Sequence, residues 1–163
     1  MGTIIDITLE EIRCIIKEGL DSEGAIRIRK ILDGRRYSKE FIEELTIYSE
    51  LLPLGRERPF SPEQRYLHFL WDAFDKLPIC LNANVGILFR RLIAERLFKR
   101  CGDGFIAEEN FRFNFGQYIE VGDFVFFNRG VFVDSKGGVI IGNNVAITED
   151  VRIFTHSHSE SSH

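Results

Sequence analysis

A six-residue apolar repeat in the second half of the chain is the feature that most constrains its fold. Apolar residues recur at every sixth position, with a single step of eight. They are Val121, Phe127, Val133, Ile141, Ile147 and Ile153. A second apolar residue follows four positions after most of them, as at Val125, Val131, Val145 and Val151, and Val139 fills that place within the longer step. Repeats of fixed length are typical of solenoids, in which each unit stacks on its neighbours.

We therefore predict a triangular coil of short parallel strands and bends, three units to a turn, with the aliphatic side chains on its axis. Gly and Asn suit the bends because they tolerate a positive φ. An antiparallel sheet would instead show hairpin turns at intervals of about 8–12 residues, and this stretch does not. We expect Phe127 to lie inside the coil, and Phe124, Phe126 and Phe132 to lie partly outside it.

The first hundred residues carry the signals of helices instead. A capping box at Thr8–Glu11 predicts the start of the first helix. A second helix is expected over residues 23–32, ending near Gly34, and a third is expected from Ser38 to just before Pro53. Residues 54–60 are polar and break the pattern, which indicates a linker.

The clearest helix start is Ser61-Pro62-Glu63-Gln64, with a capping serine, a first-turn proline and a glutamine that completes the capping box. A last helix is expected from residues 82–84 to about Arg100. Its basic residues lie largely off the apolar stripe, which indicates a solvated or subunit-facing surface, or alternatively a patch for anionic lipid or an acidic glycan. We thus predict helices over residues 1–53 and 61–101 of a helical region 1–103, followed by a β-helix domain over residues 104–163.

Composition excludes several other classes of protein. The formal net charge of −4 gives no reason to expect nucleic-acid binding. Three widely spaced cysteines without a CxxC pair argue against a disulfide framework and a zinc ribbon. The N-terminus lacks the features of a secretory signal, and no run of apolar residues is long enough for a transmembrane helix. These observations together favour a cytoplasmic protein.

The repeat also resembles a known family, the hexapeptide-repeat O-acetyltransferases. Three segments carry the resemblance: VGD at residues 121–123, IGNNV at 141–145 and IFTHSH at 153–158. They are similar to segments of the maltose and galactoside acetyltransferases, and more so of the acetyltransferases from polysaccharide and colanic-acid gene clusters. The resemblance implies a left-handed parallel β-helix, so that the expected fold class is α+β. It also implies acetyl-CoA as the acyl donor, a sugar or polysaccharide precursor as the acceptor, and a homotrimer with sites between adjacent β-helices.

The resemblance further implies roles for individual residues. The family's catalytic base is the histidine of a T-x-(S/T/G)-H segment, which falls on His158. An asparagine that opens an earlier hexapeptide falls on Asn128, and we expect it to contact the acceptor. Where galactoside-type members carry an acceptor-contacting aspartate, this chain has Lys136. Family members also continue for several more coils that build much of the acetyl-CoA groove. The chain is therefore expected to be truncated at its C-terminus, to lack most donor-binding residues and to have negligible activity alone.

The spacing of the repeat indicates which side chains meet. One coil is three units of six plus the two residues inserted at Lys136-Gly137, so that residues 20 positions apart should stack. The residues expected to form a pocket wall beside His158 are Asp134, Ser135, Lys136 and His156. A neutral imidazole at this place has a pKa suited to removing a proton from a sugar hydroxyl.

Two other functions fit the same residues. His156, His158 and His163 could bind zinc, as the three-histidine sites of gamma-type carbonic anhydrases do. In those enzymes, however, the histidines are distributed over several coils, so no metal is expected here. The chain could also be a truncated solenoid without catalytic activity that only oligomerises or binds a partner.

Overall fold

The computed structural model of the protein describes residues 4–157. The chain divides between Leu97 and Phe98 into two compact units, a helical unit and a unit of short strands. The boundary expected at residues 103/104 lies too far along the chain, because the first strand already begins at Arg100. The predicted fold class, helices followed by a parallel β-helix, is confirmed.

The described part of the helical unit contains seven α-helices. They are α1 (Ile4–Lys17), α2 (Ser22–Asp33), α3 (Lys39–Glu43), α4 (Tyr48–Leu51), α5 (Pro53–Glu57), α6 (Pro62–Phe74) and α7 (Ala83–Leu97), with a 3₁₀ turn over Pro78–Leu81 before α7. Helix α7 packs against α1 and α6, and the rings of Phe74 and Phe89 stack with their centroids 4.3 Å apart. None of the described helices is long and apolar enough to cross a membrane.

Several helix boundaries differ from the predictions. Helix α1 begins at Ile4, so that Thr8 lies inside the helix rather than at its cap. The capping serine of α3 is confirmed, since the Ser38 hydroxyl accepts the Phe41 N–H at 3.2 Å. The predicted third helix, however, is two short ones, because Ile47 is extended and the Glu50 side chain accepts its N–H.

The predicted linker was also wrong in part, because residues 53–57 form helix α5. Pro53 occupies its first position, where a fixed φ favours a helix and no N–H is required. The capping box of α6 is confirmed: the Ser61 hydroxyl accepts the Gln64 N–H, and the Gln64 side chain accepts the Ser61 N–H. Arg90 in α7 does not lie on a solvated surface, since it is buried and paired with Asp75.

The described part of the second unit is a triangular coil of nine short parallel strands. They are β1 (Arg100–Cys101), β2 (Ile106–Ala107), β3 (Arg112–Phe113), β4 (Ile119–Val121), β5 (Phe126–Phe127), β6 (Phe132–Asp134), β7 (Val139–Ile141), β8 (Ala146–Ile147) and β9 (Arg152–Phe154). They form sheet A (β1, β4, β7), sheet B (β2, β5, β8) and sheet C (β3, β6, β9). Every pairing joins residues 20 positions apart, as in Cys101 with Val121 and Val133 with Ile153.

The bends between sheets repeat the same backbone conformation in every coil. A positive φ falls on Gly104, Phe124 and Asn144 after sheet A, and on Asn110, Gly130 and Asp150 after sheet B. Gly, Asn and Asp are the residues that tolerate this conformation best. Phe124 is the exception: it is exposed, and a Cβ at Gly104 would lie 2.6 Å from its ring.

The axis of the coil is filled by aromatic residues first and aliphatic residues later. Phe111 stacks on Phe127 with ring centroids 4.2 Å apart, and the small Ala107 lies directly below Phe127 in the register. Phe127 is buried, whereas Phe126 and Phe132 are half-buried and Phe124 is exposed, as predicted. At this position, a small side chain in the first coil is therefore followed by a large one in the second, which keeps the axis filled.

Burial falls from the second coil to the third. Val121, Val133 and Phe127 on the axis of the second coil are fully buried. Ile141, Ile147 and Ile153, which stack on them, are only half-buried, although the sequence predicted a buried position for each. Among the described residues, β7, β8 and β9 each pair on one side only. A solenoid coil that stacks on a single neighbour keeps part of its apolar surface in water.

Candidate functional site at one corner of the coil

A group of polar side chains meets where sheet C ends and the chain turns toward sheet A. We call this the polar corner and define it as residues 134–138 and 155–157. The pairing of β6 with β9 places Phe154 beside Asp134. Lys136 in the second coil and His156 in the third each follow this pair by two residues. They therefore lie at the same corner.

Asp134 is the buried charge of this corner, with 5% of its surface exposed. Its Oδ2 lies 3.4 Å from Nδ1 of His156, and its Oδ1 accepts the backbone N–H of Lys136 at 3.3 Å. The contact with the imidazole is longer than a strong hydrogen bond, but close enough for the carboxylate to favour a proton on Nδ1. The other ring nitrogen, Nε2, is then an acceptor.

Lys136 lies at the other end of the imidazole. Its Nζ is 3.4 Å from Nε2 of His156, so a carboxylate, an imidazole and an ammonium group follow one another in a row. Asp134 is buried at the inner end of this row, while His156 and Lys136 are half-buried. The row thus presents its cationic end toward the surface, and the buried carboxylate fixes the orientation of the ring.

Thr155 and Gly137 hold the corner together, and no role was predicted for either of them. The backbone N–H and the hydroxyl of Thr155 both donate to the Asp134 carbonyl, at 3.2 and 2.8 Å. The Thr155 hydroxyl in turn accepts the Gly137 N–H at 2.8 Å. A Cβ on residue 137 would lie 2.2 Å from the Thr155 carbonyl oxygen, so only glycine fits. The two-residue insertion in the repeat was the sequence signal for this close approach.

Ser135 does not face the corner, although the sequence placed it on a pocket wall. It is fully buried, its hydroxyl donates to the Phe115 carbonyl at 2.8 Å, and the same oxygen accepts the Phe115 N–H at 3.2 Å. Both hydrogen bonds join the second coil to the first. The side chain of Ser135 therefore stabilises the stack from inside and is not available to a substrate.

Asn128 lies at a different corner of the same coil. It follows β5, where sheet B turns toward sheet C, and the whole of β6 separates it from the polar corner. Its backbone N–H donates to the Ile147 carbonyl at 3.0 Å, and its Oδ1 accepts the Arg129 N–H at 3.3 Å. Within one chain, the structure does not bring Asn128 together with Asp134 and His156.

His158, expected to be the catalytic base, and His163, expected to complete a zinc site, lie outside the described residues. Among residues 4–157, no three histidine, cysteine, aspartate or glutamate side chains are grouped as metal ligands. The described chain thus contributes Asp134, Lys136 and His156 to the corner that leads, two residues after His156, to His158.

Comparison with known proteins gives a limited resemblance. No protein-family model matches the chain, and no curated protein sequence matches it. The structure is similar to that of the hexapeptide-repeat-containing acetyltransferase VCA0836 from Vibrio cholerae, with 25% identity and a TM-score of 0.48 over 62% of this chain and 56% of that one. A structure of VCA0836 from Vibrio cholerae O1 biovar eltor, complexed with acetyl coenzyme A, gives 20% identity and a TM-score of 0.46 over 83% of this chain and 61% of that one. The chain thus spans about three fifths of the chains it resembles.

Proposed function

We propose that this protein is an acetyl-CoA-dependent O-acetyltransferase that acts on a hydroxyl group of a sugar or polysaccharide precursor. The observation that carries the proposal is the buried Asp134 beside His156, at the corner that continues into the sequence motif Thr155-His156-Ser157-His158. A buried carboxylate that orients a histidine, next to a second histidine in the chain, is an arrangement suited to acid–base chemistry.

The proposed reaction needs two proton transfers, one from the acceptor hydroxyl to a histidine and one from that histidine to the leaving thiolate. The acceptor oxygen attacks the carbonyl carbon of the thioester while a histidine takes the hydroxyl proton. The C–S bond then breaks, and the thiolate of coenzyme A leaves with that proton as a thiol. The oxyanion formed on the carbonyl requires a hydrogen-bond donor, a role that backbone N–H groups at a coil corner are suited to.

We assign the role of base to His158 and a positioning role to His156. Lys136 approaches Nε2 of His156, so that nitrogen is not free to take a proton from the acceptor. His158 is the histidine to which the sequence resemblance points. In this proposal, His156 and Asp134 fix the backbone and charge of the corner from which His158 acts.

Acetyl-CoA is a substrate in this proposal, as the acyl donor. The proposal also includes a homotrimer. Asn128 lies at a different corner from His156 within one chain, so it would contact an acceptor at the polar corner only from an adjacent copy. Sedimentation of the purified protein tests this part, and a monomer at working concentrations would remove Asn128 from the site.

The central test is acetyl transfer by the full-length protein, followed as release of the coenzyme A thiol with a panel of sugars. We expect His158→Ala to lower kcat by about 10²- to 10⁴-fold, the usual range for loss of a general base. His156→Ala should lower it less, and the matched control Ser157→Ala should leave it unchanged. The affinity for acetyl-CoA should change little in all three variants.

Two results would contradict the proposal. If no sugar is acetylated by the wild-type protein, the enzymatic function is wrong and a binding solenoid is the better description. If His156→Ala and His158→Ala are equally damaging and zinc co-purifies with the wild type, the chemistry depends on a metal.

A further inference from the structure

We propose that Lys136 is a specificity-determining cation, held in place by Asp134 and His156, and that the acceptor carries an anionic group beside the hydroxyl that is acetylated. The inference rests on the proposed function and adds a substrate class to it. The anionic group is a carboxylate, as in a uronic acid, or a phosphate, as in a sugar phosphate. The shared chemistry is an oxyanion within reach of an ammonium group.

The first argument is that the ammonium group is fixed in position. A lysine side chain loses rotamer entropy when it is held in one place, which opposes binding. Here the backbone N–H of Lys136 is bound to the buried Asp134 carboxylate and Nζ lies 3.4 Å from the imidazole of His156. The backbone of Lys136 and the end of its side chain thus each have a partner in the polar corner before any ligand binds. Preorganisation of this kind increases the affinity for a ligand, because the ordering is already complete.

The second argument concerns the hydrogen-bond donors that remain. An ammonium group has three N–H donors, and Nε2 of His156 lies within reach of one of them. The Asp134 carboxylate faces the far side of the imidazole and the Lys136 backbone. Within residues 4–157, the other two donors of Lys136 suit an anionic oxygen, for which charge-assisted hydrogen bonds are about twice as strong as neutral ones.

The third argument is the composition of the corner around the ammonium group. The segments 135–138 and 155–157 contain no acidic residue that would compete with an anion for Lys136. Gly137 and Gly138 are exposed, and neither has a side chain that would fill the space beside Lys136. Within the described residues, the acidic group of the polar corner is Asp134, whose carboxylate contacts the His156 ring and the Lys136 backbone N–H, so a carboxylate or phosphate can approach the ammonium group.

The test compares three acceptors of similar size: glucose, glucuronate and glucose 6-phosphate. The full-length protein is used as the wild type and as Lys136→Gln, Lys136→Arg and the control Arg129→Gln, which alters a cation at another corner. Acetyl transfer gives kcat and KM, and calorimetry gives the affinity for each sugar without the acyl donor. We expect Lys136→Gln to raise KM for an anionic acceptor on the order of 10- to 100-fold, and to change KM for glucose much less. Lys136→Arg should retain most of the preference, and the control should retain all of it.

The other outcomes either overturn one of the two proposals or identify the anion. Equal binding of all three sugars by the wild type would overturn the anionic acceptor. A fall in kcat of the same size for glucose and for the anionic sugars in Lys136→Gln would overturn it as well, and would assign Lys136 to the thioester oxyanion instead. A preference that differs between glucuronate and glucose 6-phosphate would identify the anion. Selective binding of anionic sugars without transfer to any of them would overturn the proposed function and leave the anion site standing.

Discussion

The helical unit and the β-helix use charged side chains in opposite ways. In the helical unit, Arg90 and Asp75 are buried together, with 3% and 5% of their side chains exposed, and Arg29 is buried against Asp33. In the described part of the β-helix, the ion pairs lie at the surface, as between Arg129 and Glu149. The buried Asp134 faces an imidazole instead of an arginine.

This difference separates charges that support the fold from charges that are available for chemistry. A buried ion pair is a structural requirement once it exists, because removal of one partner leaves the other charge buried and uncompensated. The β-helix is stabilised by the stacking of its coils and not by such pairs. We therefore expect substitutions of the half-buried Lys136 and His156 to have a small effect on stability, unlike substitutions of Gly137 or Ser135, which hold the coils together.

The largest effect is expected where a charge is placed on the axis of the β-helix. Val133→Asp should destabilise the protein by on the order of 5 kcal/mol, since it removes a buried side chain and buries an unpaired carboxylate. The comparison within the unit is Ile153→Asp, which changes the residue that stacks on Val133 but is only half-buried. Its cost should be less than half as large. Urea unfolding followed by circular dichroism measures both, and equal costs would show that the third coil is covered as completely as the second.

The register of the β-helix could be predicted from the sequence because its signal is periodic. Val, Ile and Phe at every sixth position define the strands, and the one step of eight places Lys136 and His156 at the same corner. The first coil could be predicted only as an irregular one from about Ile106, whereas its first strand begins at Arg100. The six-residue pattern is weak there because Ala107 and Phe113 occupy the places that Phe127 and Val133 hold in the next coil.

Other features depend on contacts between residues distant in the sequence, which periodicity does not report. Ser135 is hydrophilic and follows a strand, yet its partner is the backbone of Phe115 in the coil below. On a helical wheel, Arg90 falls on the polar side of α7. In the structure, the Asp75 carboxylate on a neighbouring segment accepts hydrogen bonds from its guanidinium, and the guanidinium carbon lies 5.3 Å from the centroid of the Phe74 ring. Both residues are buried by tertiary structure that a local pattern does not encode.

The second prediction compares the buried carboxylate of the helical unit, Asp75, with that of the β-helix, Asp134. Asp75→Ala should cost about 3–5 kcal/mol of stability, because Arg90 is left buried without its partner. Asp134→Asn should cost about 1 kcal/mol, because the amide oxygen still accepts the Lys136 N–H. Acetyl transfer should nevertheless fall about 10-fold in Asp134→Asn, since the imidazole loses the carboxylate that selects its tautomer.

Thermal or urea unfolding together with the thiol-release assay distinguishes these variants. The double variant Asp75→Leu, Arg90→Leu serves as the control for Asp75→Ala, since removal of both charges should recover most of the stability. A loss of several kcal/mol in Asp134→Asn would mean that the polar corner supports the fold as the helical ion pairs do. The contrast between the two units would then not hold.

The smallest effect is expected from the half-buried pair of Glu50 and Arg65 in the helical unit. Burial opposes the charged form of Glu50. Hydrogen bonds from the Arg65 guanidinium and from the Ile47 N–H outweigh it, so the pKa of Glu50 is lowered from its usual range. A group with a lowered pKa stabilises the fold above its unfolded pKa, and this contribution is lost as the pH falls through the folded value. The contribution of Glu50 to the free energy of unfolding should therefore be lost only at acid pH, below about pH 4.5.

The test compares wild type, Glu50→Gln and the exposed control Glu57→Gln in urea unfolding from pH 7 to pH 3. At pH 7, Glu50→Gln should be less stable than the wild type by about 1 kcal/mol or less, because the pair is partly accessible to water and salt. The two curves should converge toward pH 3, where the wild-type carboxyl is itself becoming protonated, and Glu57→Gln should follow the wild type throughout. A difference that stays constant between pH 7 and pH 3 would show that the cost comes from the shape of the site at residue 50 and not from its charge. Ion pairing would then contribute to the helical unit only at its fully buried pairs.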